Sequence, residues 1–493
     1  MLSFKKIDEK NFENSQNKKI ERELPYFITL VTLLATSGIG PYVILNKIKE
    51  INLLPTIRTE SIKILKRIDM LGIDPLTALS QAKDRPSSKA LGEFLNGYVS
   101  SIQSGGNVTS YLKSKMYSIF ERLKNREQSN IDKLSGLIHA YLTMQIVILA
   151  VFILVASIGA TPLEGFLGNP TQANSNPPYA ILIFPPIMAA LFIFIAGKVT
   201  SSNIREIPVK KIILHVVPPM IGAAVFILSG LFPHSEINAY IFGICLIAGS
   251  LGPAIKFNKI HARNMDAEGA VPQILRDITE ARKTGIGPEK CIAHACRRSD
   301  YKTFTPVANS VANKLEWGIP VNNIYNAIKT EVDNFQVLIS FRILFEVIFS
   351  GGGNVNTLDT LADASERIYN IEKNKRDMLK PYLMVGFMIV AITGFTTLLV
   401  IDSFNDISEG KKIGQTDIQE SVATQTFMEL IAISVLIQAW LAGLFIGKIT
   451  VGAYSGGFFY CILYVLTTII CIAIVQLHIV NIGAILKTPS SVG

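Results

Sequence analysis

Long runs of this chain contain no Lys, Arg, Asp or Glu, and they alternate with runs crowded with all four. A polypeptide patterned this way divides itself between lipid and water. In hydrocarbon every backbone N–H and C=O must be satisfied within the protein, so apolar runs of about 20 residues read as membrane-crossing helices. Seven stretches qualify: Leu137–Ala160, Tyr179–Ala196, Ile212–Leu231, Ala239–Ile255, Tyr382–Ile401, Phe427–Ile449 and Gly456–Leu486. The second carries Pro185-Pro186 and the third Pro218-Pro219. Membrane helices tolerate such kinks where neighbours satisfy the freed carbonyls. A mean hydropathy of +0.37 over 493 residues agrees with this division.

Orientation follows from where Lys and Arg fall. Thr161–Pro178 has neither, the next connection has Lys198, Arg205, Lys210 and Lys211, Phe232–Asn238 has none, and Lys256, Lys259 and Arg263 follow the fourth stretch. Basic and non-basic connections alternate, as threading requires. The acid-rich segment Asp402–Thr426 falls outside and Lys448 inside. The polar start, Met1–Glu23, lacks the apolar core of a signal peptide and is expected to be a short disordered cytoplasmic arm.

The two charged regions are copies of one plan. Pro25 and Ser37-Gly38-Ile39-Gly40-Pro41 match Pro272 and Thr284-Gly285-Ile286-Gly287-Pro288, with equal spacing from proline to glycine. Ser104-Gly105-Gly106-Asn107-Val108 matches Gly351-Gly352-Gly353-Asn354-Val355 at the same offset. Leu71-Gly72-Ile73-Asp74-Pro75 resembles Trp317-Gly318-Ile319-Pro320. Four marks in the same order establish an internal repeat. Both copies lead into an apolar stretch from the same side only if an even number of crossings separates them, and four do. The predicted organisation is an arm over 1–23, a first copy over 24–136, spans over 137–255, a second copy over 256–380 and spans over 381–493.

Each copy reads as a helical bundle with its own small core. Ile62, Leu65 and Ile68 lie on one helix face away from Lys63, Lys66 and Arg67, and Leu112, Met116, Ile119 and Leu123 form another stripe. Gly-Ile-Gly-Pro fits a helix stop followed by a helix start. Structural turns are therefore expected at Pro25, Gly38, Gly40, Pro41, Gly106, Asn107, Pro272, Gly285, Gly287, Pro288, Gly353 and Asn354. The fold class is all-α, polytopic, with two repeated bundles.

Sites that would announce chemistry do not occur in the sequence. There is no phosphate-binding G-x-x-x-x-G-K-[ST], no H-E-x-x-H, no C-x-x-C pair and no G-x-S-x-G. The six histidines are scattered, and the five cysteines read as small buried hydrophobes. No catalytic residue, cofactor, metal or nucleic acid is expected. His215, Glu429 and His478 are exceptional ionisable residues in apolar stretches, the first two near span ends.

The repeated unit, with its proline, Gly-Ile-Gly-Pro and Gly-Gly-Asn-Val marks each followed by a span, resembles the F domain of type II secretion and type IV pilus platform proteins. Two such units with extra spans look most like the archaeal FlaJ and TadC-like branch. That resemblance implies a multi-pass cell-membrane platform with both F domains in the cytoplasm. It implies a separate secretion ATPase and prepilin-like filament subunits as partners, and a homo-oligomer. Docking of the ATPase is expected at Lys63, Lys66 and Arg67 in the first copy and Arg282, Lys283, Arg297 and Arg298 in the second. Lys113, Arg122, Lys124 and Arg126 are expected near lipid headgroups. A multi-pass transporter or channel is the competing reading.

Overall fold

A computed structural model describes residues 2–84, 88–160, 179–199, 237–298, 300–394 and 418–476. Among these residues the chain is helical and has no strand. The helices are α1 (Leu2–Thr36), α2 (Pro41–Lys49), α3 (Pro55–Leu71), α4 (Pro75–Asp84), α5 (Lys89–Gln103), α6 (Val108–Ala160) and α7 (Tyr179–Val199). They continue as α8 (Ile237–Lys283), α9 (Pro288–Arg298), α10 (Thr305–Glu316), α11 (Val321–Glu331), α12 (Phe335–Val347) and α13 (Val355–Leu379). Next come α14 (381–394), α15 (Ile418–Val451) and α16 (Tyr454–Gln476). Two compact units result: Met1–Ser129 with Ile260–Asn374, and Asn130–Lys259 with Lys375–Gly493.

The first unit contains both sequence copies, and they correspond helix for helix. The end of α1 matches the end of α8, and α2 to α6 match α9 to α13 in order. The two copies do not build separate cores, as the sequence suggested. One continuous apolar cluster takes Phe27, Phe94 and Leu112 from the first copy together with Ile274, Phe304 and Phe341 from the second. Tyr26 of α1 meets Phe335 of α12 edge to face, with centroids 5.1 Å apart. Sharing removes from water a face that each copy of about 110 residues would otherwise leave exposed.

Helix α12 explains why the copies merge. Almost every residue from Gln336 to Val347 is buried. A helix apolar on all sides needs partners on all sides. Its apolarity is enough for Phe335–Gly352 to count among five described helices long and apolar enough to cross a membrane, yet 72% of that window is buried inside the protein. The other four, Asn238–Lys283, Val355–Gly394, Glu429–Val451 and Tyr454–Ile474, coincide with expected spans. Phe184–Val199 is a shorter apolar helix at the expected second span, and α6 contains the first. Ile212–Leu231, like the ends of the fifth and last stretches, lies outside the described residues.

The expected N-terminal arm is helical, since α1 begins at Leu2 and runs through Pro25. Proline cannot donate to the carbonyl four residues earlier. That carbonyl belongs to Glu21, and the Arg126 guanidinium lies 3.5 Å from it. Pro272 is likewise internal to α8. Neither proline is a turn.

In the second unit α15 and α16 form a hairpin whose backbones touch. A Cβ added at Gly447 would stand 2.1 Å from the Cα of Gly457, and one at Gly443 2.6 Å from the Cα of Cys461. Small residues permit this approach between membrane helices. Polar side chains bond across helices: Gln438 to Gln145, the Trp440 indole to Ser250 at 2.9 Å, and the Asn238 amide to Glu429 at 2.8 Å. Glu429, set apart by its charge, thus has an amide partner on α8.

Candidate functional site in the doubled helical unit

The marks that define the repeat are helix caps. Gly38 and Gly285 adopt left-handed φ values of 81° and 86°, where a Cβ is strained, and they end α1 and α8. Gly40 and Gly287 accept from the N–H groups of Ile44 and Cys291, opening α2 and α9, with Pro41 and Pro288 in the first helical positions. Asn107 accepts from the Ser110 N–H at 2.9 Å, and Asn354 from the Thr357 N–H at 2.8 Å. Each asparagine caps a helix, α6 and α13.

The glycine turns before those asparagines differ. In the first copy the left-handed residue is Gly105, with φ 64°. In the second it is Gly351, with φ 84°, inside a π turn over Ile348–Gly352. Gly106 and Gly353, the expected turn glycines, are not left-handed. Gly353 serves packing instead, because a Cβ there would stand 3.0 Å from the Pro288 ring.

These turns bring the copies together. A Cβ on Gly352 would lie 2.5 Å from Ser37 Oγ, and Ser37 Oγ is 3.4 Å from Thr357 Oγ1. The helix stop of the first copy therefore sits on the π turn of the second. Nearby, Glu346 of α12 is buried. It accepts from Arg342 at 2.7 Å and pairs with Lys47 of α2 at 3.5 Å. Arg342 also donates to Asn322 at 3.1 Å. This charged junction escaped sequence reasoning. Only the fold brings Lys47 to Glu346, and no local spacing signals it. Glu23 is a second hidden contributor: its carboxylate accepts from Thr56 and Ile57 N–H at 3.1 and 2.8 Å and caps α3.

The expected docking cations fall into two groups. Arg282 is structural, since it donates to the Gly353 and Ile286 carbonyls at 2.8 Å each and ties the two marks of its copy together. Lys283 pairs with Glu280, Arg297 with Glu316 and Arg298 with Asp277. Lys63 pairs with Glu60 within one helix turn. Lys66 is exposed and Arg67 half-exposed, and neither makes an ion pair among the described residues. Of the positions expected near headgroups, Arg122 shares Glu93 with Lys115. No group of His, Cys, Asp and Glu among the described residues could hold a metal ion.

Residues 27–156 match the family model for type II secretion system protein F. That stretch is the first copy together with the apolar half of α6. An uncharacterized protein of Methanocaldococcus jannaschii is 21% identical over 399 residues, covering 73% of this chain. The match spans 64% of that relative's length. No solved structure matches the chain.

Proposed function

We propose, from the premise that this chain carries a type II secretion system protein F domain over residues 27–156, that it is the membrane platform of a type IV pilus-like or archaellum assembly machine. The F domain supports the platform class in general. The observation that carries the reading is the doubled unit itself: two copies with matching caps at Gly38 and Gly285 and at Asn107 and Asn354, fused through one core, within a polytopic all-α chain. A scaffold of this kind offers surfaces and stiffness rather than chemistry.

In this reading the first unit lies in the cytoplasm and receives a separate secretion ATPase. The second unit lies in the cell membrane beside prepilin-like filament subunits, and the chain acts as a homo-oligomer. The ATPase hydrolyses nucleotide and this chain passes the resulting movement to the filament base. Helices α6, α8 and α13 each contain residues of both units, which supports such transmission. The positive-inside distribution of Lys and Arg supports the orientation.

The test is made in the native cell. Deleting the gene should abolish surface filaments, and the wild-type chain should restore them. Lys66→Cys should resist a membrane-impermeant maleimide applied outside intact cells and react after permeabilisation. Filaments that persist without the chain, or labelling from outside, would overturn the proposal.

A further inference from the structure

Charge separates the two copies. Residues 24–136 hold 15 Lys and Arg against 9 Asp and Glu, whereas residues 256–380 hold 18 against 15. In the second copy several cations are paired with carboxylates at the surface, as the Arg263–Glu331, Arg276–Glu366, Arg297–Glu316 and Arg298–Asp277 pairs show. An anionic partner is therefore attracted to the first copy.

Exposed apolar side chains also gather there. Tyr42 and Val43, at the start of α2, are 39% and 45% exposed; Met70 and Leu71, at the end of α3, are 78% and 68% exposed. These two pairs form one patch, because the Tyr42 hydroxyl donates to the Asp69 carboxylate at 3.1 Å and ties the two helix ends together. Lys66 precedes Met70 by four residues and Arg67 precedes Leu71 by four, so each uncompensated cation shares a helix face with an exposed apolar side chain. Elsewhere the apolar stripe of α3, with Ile57, Ile64 and Leu65, is buried in the core. The last turn of α3 is left for something else to cover.

We propose that this corner docks an acidic protein surface, with Met70 and Leu71 inserted as apolar anchors and Lys66 and Arg67 meeting carboxylates at the rim. Tyrosine, methionine and arginine around a small apolar centre are the composition enriched in protein interfaces. Asp69 at the centre, held by Tyr42, repels a continuous layer of anionic headgroups and is tolerated by a partner whose carboxylates are offset from it. The second copy's matching helix end, Trp317, is 75% exposed but follows Glu316, which is engaged by Arg297, and Asn313 stands four residues before it where the first copy has Arg67. The partner thus engages the repeat asymmetrically. The corner depends on the platform reading only for the identity of its partner, the secretion ATPase.

The experiment places p-benzoylphenylalanine at Met70 or Leu71 of the full chain in its native membrane, with Trp317 as the comparison position and Val43 in reserve should either variant fail to accumulate. After irradiation, adducts are identified by mass spectrometry. An adduct with an acidic protein is expected at Met70 or Leu71. Its yield should fall at least tenfold when Lys66→Gln and Arg67→Gln are added, and it should be weaker in higher salt. Adducts only with lipid or with a second copy of this chain, no adduct, or a yield indifferent to the two charge changes would each overturn the proposal. The two readings separate cleanly. An acidic adduct that is not a secretion ATPase sustains the corner and refutes the ATPase reading, while an ATPase caught only at Trp317 does the reverse.

Discussion

Replacing Glu346 by Gln removes one charge from the junction of the two copies and almost no volume. Glu346 faces Arg342 at 2.7 Å and Lys47 at 3.5 Å, with side-chain exposures of 9%, 14% and 32% in that order. Arg342 Nε is already buried without a hydrogen-bond partner. Taking away the carboxylate leaves the guanidinium charge uncompensated, and breaking a buried pair this way costs about 3 kcal/mol. Lys47 is a smaller contributor: at 3.5 Å the raw attraction is about 5 kcal/mol at an effective dielectric of about 20, but a side chain a third exposed keeps about 1 kcal/mol of it. Cys296 supplies the assay, because it is fully buried in the shared core and burial pushes its thiol up to about 12. With the other four cysteines replaced by Ala, maleimide labelling at pH 8 reports opening of the first unit. Glu346→Gln should raise the labelling rate roughly 150-fold, the equivalent of about 3 kcal/mol. Lys47→Met should raise it roughly fivefold, the equivalent of about 1 kcal/mol. Arg342→Met with Glu346→Leu, which removes both charges of the inner pair, should return the rate to within about tenfold of wild type, since a buried pair is replaceable by apolar groups of similar volume. A Glu346→Gln rate within fivefold of wild type, or no recovery in the double variant, would refute the electrostatic account of the junction.

Two further expectations use the same material. Asn107→Ala and Asn354→Ala each delete a helix cap and should cost about 1 kcal/mol. Both should raise Cys296 labelling although only Asn354 lies in the same copy, so a silent Asn107→Ala would argue against a shared core. Gly447→Val would force a side chain onto the Gly457 Cα, 2.1 Å from an added Cβ. It should abolish the monodisperse peak in detergent gel filtration, and a normal elution profile would mean that the hairpin spreads at little cost.

The repeat was legible because caps are local chemistry. A left-handed glycine, a proline in the first helical turn and an asparagine cap each leave a residue type at a fixed place, and Gly38, Gly285, Pro41, Pro288, Asn107 and Asn354 stand where those types predict. Pro25 misled for the same reason, since locally it reads as a break. The helix continues because α1 is packed on the core and a distant arginine lies by the freed carbonyl. The left-handed residue moves from Gly105 to Gly351, which stands where the first copy has Ser104, while Gly352 lies against Ser37, a contact across the chain that no window of sequence contains. The expected docking cations could not be sorted from one another in the sequence, because a basic residue on a helix says nothing about the carboxylate opposite it. Only the fold distinguishes Arg298, bonded to Asp277, from Lys66.

Because one oily interior belongs jointly to both halves of the duplication, neither half is a portable module. A fragment ending near Ser129 would display to solvent the side of Tyr26 that Phe335 covers. Dissecting this protein into pieces therefore means carrying both segments on one linker.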